Sequence, residues 1–190
     1  MIATFVALVA LTGAQAQDSP RRKTMLPNNS IVFVEHIPSP VLSVQLIASA
    51  RGVEEKPTTH GLRHLLEHLI LRGRDGRLDT RLESQGMFFT GRTYRDAMQI
   101  EVFCTATQLD IALDAIREVL SPRPFSAGEI EKELRVLTEE LAMQSDAVRL
   151  SSAAWTTAFG PGGLDPLGDL GVMAKVATDA SLQEVRARHF

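Results

Sequence analysis

The run His64-Leu65-Leu66-Glu67-His68 constrains this chain more than any other stretch. On an α-helix, residues three and four apart share a face, so His64, Glu67 and His68 point to one side. The surrounding residues are mainly apolar and favour a helix that packs in a core. Polar groups on such a helix need partners when they are buried. The fold must therefore bury this helix and bring polar side chains to it.

Two imidazoles and a carboxylate at this spacing suit a catalytic zinc site. Such a site uses three protein ligands, an open position for water and a general base beside that water. His64 and His68 supply two ligands. The chain has one cysteine, Cys104, so zinc ligands come from histidine and carboxylate, and an intrachain disulfide is excluded. Cys104 lies in an apolar, strand-like run and is expected to be buried.

The third ligand is expected from the glutamate-rich segment after Ser126. Glu133 and Glu140 are seven residues apart, so they lie two helical turns apart on nearly the same face, and either could meet the histidine helix. Glu67 is then free to take a proton from the water that the metal activates. The other glutamates of this helix are expected to face solvent: Glu129, Glu131 and Glu139. The remaining histidines are expected at surface or capping positions: His36, His60 and His189.

Strand-like and helix-like segments follow one another without regular strand-helix alternation. Apolar and β-branched runs predict strands at residues 31–35, 41–50, 87–90 and 97–105. Periodicity and breakers predict helices at residues 61–71, 77–84, 107–120, 127–145 and 148–159, and a last helix up to residue 190. Capping boxes are predicted at three helix starts: Thr107 with Asp110, Ser126 with Glu129, and Ser181 with Glu184. This order indicates an α+β fold, with a mainly antiparallel sheet and helices packed on one face.

The first residues predict export from the cytoplasm. Residues 2–11 are apolar, and Ala14-Gln15-Ala16 is a small-x-small pattern that signal peptidases recognise. We expect residues 1–16 to be a signal peptide cleaved after Ala16, and the protein to be periplasmic or secreted. Because the stretch lacks the usual Lys or Arg, a buried N-terminal helix and a misplaced start codon are the alternatives. Residues 17–25 are polar and basic, as in a linker, and residues 26–190 are the expected folded domain.

Length and charge narrow the class of protein. The 190 residues allow one domain with a substantial core. The net charge is -3 and arginine is spread along the chain, so nothing predicts binding to nucleic acid or to an anionic membrane. After the N-terminal segment, no stretch is long and apolar enough to predict a membrane helix.

The order His-x-x-Glu-His is the inverzincin signature. The chain resembles the N-terminal catalytic region of the pitrilysin/insulinase family of zinc metallopeptidases, which includes the mitochondrial processing peptidase. Further positions fall where that family has equivalents: Leu26-Pro27-Asn28, Gly61, Gly73, Gly86 followed by Thr93 and Asp96, Glu133 with Glu140, and Asp165-Pro166-Leu167-Gly168.

The resemblance implies a zinc-dependent metalloendopeptidase. In that case Glu140 is the third zinc ligand, Glu67 is the general base, and Glu133 is a carboxylate that supports the site. Glu139 becomes the ligand if the helix register slips by one residue. The competing hypothesis is a non-catalytic fragment that binds zinc or a partner but cleaves nothing.

The resemblance also implies how a peptide or unfolded protein substrate binds. In the family, an extended substrate pairs with the backbone of a strand. The residues concerned here are Phe88, Phe89, Thr90 and Gly91. The usual Gly-Gly and Asn-Ala are replaced by Gly86-Met87 and Thr90-Gly91, and Arg63 replaces a small residue. Side-chain selectivity is therefore expected to differ from that of other members.

Family domains are longer than this chain. They continue with further strands, and active members pair this domain with a second, homologous one. We therefore expect a half-domain that lacks its last strands and keeps an unpaired sheet edge. Activity is expected to require a second domain or chain.

Overall fold

The computed structural model describes residues 4–10, 21–160, 165 and 167–190. Six strands lie within these residues: β1 Thr4–Ala10, β2 Arg22–Met25, β3 Ile31–His36, β4 Val41–Ala48, β5 Phe88–Thr93 and β6 Met98–Thr105. The α-helices are α1 Leu62–Leu71, α2 Leu78–Glu83, α3 Leu109–Leu120, α4 Ala127–Ala142, α5 Asp146–Phe159, α6 Leu170–Val176 and α7 Asp179–His189. None of the described helices is long and apolar enough to cross a membrane.

The strands form one six-stranded sheet in the order β2-β3-β1-β4-β6-β5. Neighbouring strands are antiparallel except β1 and β3, which run parallel. The centre of the pairing between β4 and β6 is Val44 opposite Val102. This arrangement confirms the predicted α+β fold with a mainly antiparallel sheet.

One face of the sheet carries the hydrophobic core. Alternate residues of β4 and β6 are buried against the helices, because successive side chains of a strand point to opposite faces: Leu42, Val44, Leu46, Ala48, Met98, Ile100, Val102 and Cys104. The opposite face is more polar, and there the Ser43 hydroxyl donates to Glu101 Oε1 at 2.7 Å. This polarity is what is expected of the face that does not carry the core.

Two N-terminal segments take part in the sheet. Residues 4–10, within the predicted signal peptide, form β1 between β3 and β4, where the alternative prediction had a buried helix. Residues 22–25, within the predicted linker, form edge strand β2 and are all exposed. An edge strand with solvent-facing side chains can be polar, which is why composition alone resembled a linker. The predicted cleavage site lies outside the described residues.

The capping predictions succeed at one helix and fail at two. Ser126 and Glu129 form the predicted capping box at the start of α4. The box before α3 uses Thr105 with Gln108 instead, and the box of α7 begins at Thr178. The predicted last helix is divided into α6 and α7, each with its own capping residue. Each miss arises because neighbouring hydroxyl residues offer competing caps.

Candidate metal centre

Helix α1 is buried along most of its length. It packs against β5, α3, α4 and α7, so both its apolar and its polar residues lie inside the protein. His64 is 5% exposed and Glu67 is 4% exposed. The motif helix is therefore buried, as its apolar residues predicted. The buried polar groups of the motif require hydrogen-bond partners.

Helix α4 brings a carboxylate to the two histidines. Glu140 Oε2 lies 3.7 Å from His64 Nε2 and 3.3 Å from His68 Nε2. One ligand atom from each of these residues falls within 4.8 Å of the others. Within the described part of the chain, no other group of His, Cys, Asp and Glu side chains meets this criterion. Glu139, the alternative ligand, is exposed on the same helix.

These three residues fit a zinc ion by their donor chemistry. Two imidazole nitrogens and one carboxylate oxygen are a ligand set of catalytic zinc enzymes, which leave a further position open. The Glu140 side chain is 45% exposed, so the place where the three side chains converge is accessible from solvent. The assignment of these residues as zinc ligands stays a prediction that this geometry supports.

Glu133 lies behind His68, two helical turns before Glu140. Its Oε2 atom is 3.4 Å from His68 Nδ1, and its Oε1 atom accepts a hydrogen bond from Arg72 Nε at 2.9 Å. Burial favours the neutral acid, but the hydrogen bonds from His68 and Arg72 outweigh it and lower the pKa of Glu133 to about 2. Glu133 therefore remains an anion beside the His68 ring.

His68 lies between two carboxylates in the metal-free protein. Burial lowers the pKa of its imidazole, but the hydrogen bonds to Glu133 and Glu140 dominate and raise the pKa to about 9. The hydrogen bond from His68 in turn lowers the pKa of Glu140. At neutral pH, the metal-free site therefore holds a proton on His68, and a metal ion must displace it.

Glu67 faces strand β5. The Thr93 hydroxyl donates to Glu67 Oε2 at 2.8 Å. A Cβ atom at Gly91 would lie 2.5 Å from Glu67 Oε1, so only glycine lets the strand approach this carboxylate without a shift. Burial raises the pKa of Glu67 against the attraction of His64 and His68. A raised pKa brings a carboxylate closer to the range useful for general acid-base chemistry.

A cleft of about 440 Å³ opens at this site. It is lined by the motif residues and Glu140 on one side and by β5 on the other. Of the predicted substrate-binding residues, Phe89, Thr90 and Gly91 line the cleft. Phe88 is not among the lining residues; its ring lies 6.0 Å from that of Phe103.

Two contacts of the site were not predicted from the sequence. Arg72, the first residue after α1, holds Glu133, and its position four residues after His68 could have indicated a shared helix face. The Leu167 carbonyl oxygen lies 3.1 Å from His64 Nδ1, and no side-chain pattern could have indicated a backbone group.

Two other histidines also have partners or cover. His189, predicted at a surface or capping position, is 2% exposed, because α7 packs on α1. His60 contacts the Asp165 carbonyl oxygen at 2.9 Å.

Comparisons with known proteins agree with this fold. The chain is 27% identical over 125 residues to a probable mitochondrial-processing peptidase subunit beta of Arabidopsis thaliana, over 63% of this chain and 24% of that protein. The structure of a protease from Helicobacter pylori matches 89% of this chain with a TM-score of 0.78 at 18% identity. The periplasmic protease PqqL from Escherichia coli matches 93% of this chain with a TM-score of 0.79 at 21% identity.

The chain spans less than half the length of these relatives. It covers 43% of the Helicobacter pylori protease chain and 21% of the PqqL chain. At these identities the structural matches show the fold. A separate comparison with protein families matches residues 31–161 to the model described as Insulinase (Peptidase family M16). Because that match includes more than half of the residues, the chain belongs to the insulinase family of peptidases.

Proposed function

We propose that this chain carries the active site of a zinc-dependent metalloendopeptidase that hydrolyses peptide bonds in extended peptides. The observation that carries the proposal is the convergence of His64, His68 and Glu140 in a cleft that also contains Glu67. The first three residues would hold the metal, and Glu133 would orient His68 from behind. The family membership of the chain supports the same assignment.

Zinc, when bound, supplies a Lewis acid that lowers the pKa of a water molecule and polarises a carbonyl group. Glu67 accepts the proton of the attacking water at one carboxylate oxygen and then delivers it to the leaving amine. The hydroxyl of Thr93 holds the other oxygen, so the carboxylate has a defined orientation. Glu67 is 4% exposed, so few solvent molecules contact this carboxylate.

An extended peptide fits the free edge of β5. This strand ends the described sheet, so the backbone groups on its outer side are available for pairing with a substrate. Phe89, Thr90 and Gly91 belong to the strand and line the cleft. A peptide paired there would run beside Glu67, with its backbone bound irrespective of most side chains.

The second candidate function is a zinc-binding subunit that cleaves nothing by itself. The observation that favours it is that this chain covers 43% of the Helicobacter pylori protease chain and 24% of the Arabidopsis thaliana subunit. In this version, a homologous domain or chain closes over the cleft and completes the enzyme. The zinc site and the role of Glu67 are the same in both candidates.

We also propose that the protein is exported. The PqqL protease of similar fold is periplasmic, which supports the signal-peptide prediction for residues 1–16. Mass spectrometry of the protein recovered from its native compartment should give Gln17 as the first residue. A cytoplasmic protein that begins at Met1 would overturn this part of the proposal. Cleavage after Ala16 would also remove β1 from between β3 and β4.

The function is tested by metal content and by cleavage of an unstructured peptide. The wild-type protein and its Glu67→Gln variant should both bind one zinc ion, because Glu67 is not a ligand. Only the wild type should cleave the peptide. Zinc binding without cleavage by either protein would select the non-catalytic subunit. A wild-type protein that binds no zinc would refute both candidates.

A further inference from the structure

We propose that the loop at residues 167–169 sets the orientation and the proton position of His64, and thereby controls the affinity for zinc. The inference deepens the proposed function and rests on the same three ligands. Helix α1 fixes the position of the His64 backbone and Cβ atom, but the imidazole ring can still rotate about the side-chain bonds. A contact outside the helix must therefore select the ring orientation.

The Leu167 carbonyl supplies that contact. Its oxygen lies 3.1 Å from His64 Nδ1. A carbonyl oxygen only accepts hydrogen bonds, so His64 Nδ1 must carry the proton and donate it. In the neutral ring, Nε2 then keeps its lone pair, and this is the nitrogen 3.7 Å from Glu140 Oε2. The loop thus presents the metal-binding nitrogen towards the other ligands.

Two glycines hold the loop against the start of α1. A Cβ atom on Gly168 would lie 2.2 Å from Gly61 Cα, a distance that backbone atoms cannot accommodate. Gly61 immediately precedes α1, so this crossing brings the 167–169 loop next to the first turn of the helix. The amide of Asp169 also donates to the His60 carbonyl at 3.4 Å. Close backbone approach of this kind requires glycine.

Asp165 holds the loop from its other side. Its Oδ1 atom accepts a hydrogen bond from the Leu167 amide at 3.1 Å, and its Oδ2 atom accepts one from the Ser152 hydroxyl on α5. The Asp165 carbonyl accepts a hydrogen bond from His60 Nε2 at 2.9 Å. The direction of the Leu167 carbonyl therefore depends on α5 and on the residue before Gly61.

His64 and His68 are oriented by different chemistry. His68 relies on the carboxylate of Glu133, which a side-chain substitution can remove directly. His64 relies on a backbone carbonyl, whose position changes only when the loop moves. The test must therefore displace the loop without touching any ligand.

The variant Gly168→Ala does this, and Gly160→Ala is its matched control. Both glycines have a positive φ, 83° at Gly168 and 89° at Gly160, so alanine is strained at each position whatever space surrounds it. A Cβ atom at Gly160 meets nothing within 4 Å. A greater loss of zinc affinity in Gly168→Ala than in Gly160→Ala therefore reports the crossing with Gly61.

Zinc affinity should be measured by competition with a chelator, on protein shown to be folded by circular dichroism. We expect Gly168→Ala to bind zinc about 10- to 100-fold more weakly than wild type, the usual effect of losing an orienting partner. Gly160→Ala should stay within about threefold of wild type, since it keeps every partner of the ligands. Equal affinities of the two variants would overturn the inference. If Gly168→Ala does not fold, Asp165→Ala replaces it under the same criterion.

The proton position gives a readout that is independent of zinc. Long-range nitrogen-proton NMR spectra of the metal-free protein, recorded where the His64 ring is neutral, should show the proton on Nδ1. A proton on Nε2 would overturn the inference even if zinc binds. Absence of zinc binding by the wild type, with the proton on Nδ1, would refute the proposed function and leave the loop contact upheld.

Discussion

Replacing Glu133 with glutamine should destabilise the metal-free protein by about 3 kcal/mol. The carboxyl is 2% exposed and its pKa is lowered from an ordinary 4.5 to about 2. At about 1.4 kcal/mol for each pKa unit, this lowering corresponds to about 3 kcal/mol of stabilisation by the ionised form. Removal of one member of a buried ion pair typically costs about 3–5 kcal/mol, which agrees.

The dependence on pH follows from the direction of the shift. Because the pKa of Glu133 is lower in the folded protein than in the unfolded chain, its contribution is fully present above about pH 4.5. It is lost as the pH falls towards 2. The stability difference between wild type and Glu133→Gln should therefore shrink in acid.

Urea unfolding in the presence of a chelator measures this difference at pH 7. Glu139→Gln is the matched control, because it makes the same substitution on the exposed side of the same helix. A loss of about 3 kcal/mol should lower the melting temperature by about 6–12 °C for a chain of this size. Unfolding of Glu133→Gln at the same urea concentration and with the same slope as Glu139→Gln would refute the reasoning.

Three further predictions concern zinc and the sheet. Glu140→Gln should weaken zinc binding by more than about 100-fold, beyond the usual loss for an orienting partner, whereas Glu139→Gln should leave it unchanged; equal effects in the chelator competition would place the ligand elsewhere. Zinc binding at pH 7 should release about one proton from His68, whose pKa is about 9 in the metal-free protein, and calorimetry in buffers of different ionisation enthalpy measures this number. Apparent zinc affinity should accordingly rise with pH up to about 9; a flat profile would contradict the pKa. Relative to the uncleaved protein that begins at Met1, deletion of residues 1–16 should lower the urea midpoint, because β3 and β4 lose the strand between them. An unchanged midpoint would show that β1 contributes nothing to stability.

Local patterns were sufficient to predict much of the site's framework. The apolar residues around Glu67 predicted a buried helix, and the Ser126 capping box predicted where α4 begins. The spacing of Glu133 and Glu140 placed both on one helix face. These features depend on residues within a few positions of each other in the sequence. The period of an α-helix, 3.6 residues, is therefore enough to predict them.

Other features depended on distant parts of the chain. The pairing of residues 4–10 between β3 and β4 joins segments whose composition had indicated a signal peptide and two separate strands. The exposed side chains of β2 resembled a linker until its pairing with β3 was known. Strand pairing is a property of two segments, and neither one carries it alone.

Residue spacing is enough to show which donors share a helix face: His64, Glu67 and His68 on one helix, and Glu133 with Glu140 on another. Their separate positions around the histidines depend on how the two helices pack. The tertiary structure placed Glu140 at both Nε2 atoms and Glu133 at His68 Nδ1. The contact between the Leu167 carbonyl and His64 also depends on the tertiary structure. Every residue has a backbone carbonyl, so the sequence does not indicate which carbonyl contacts the ring.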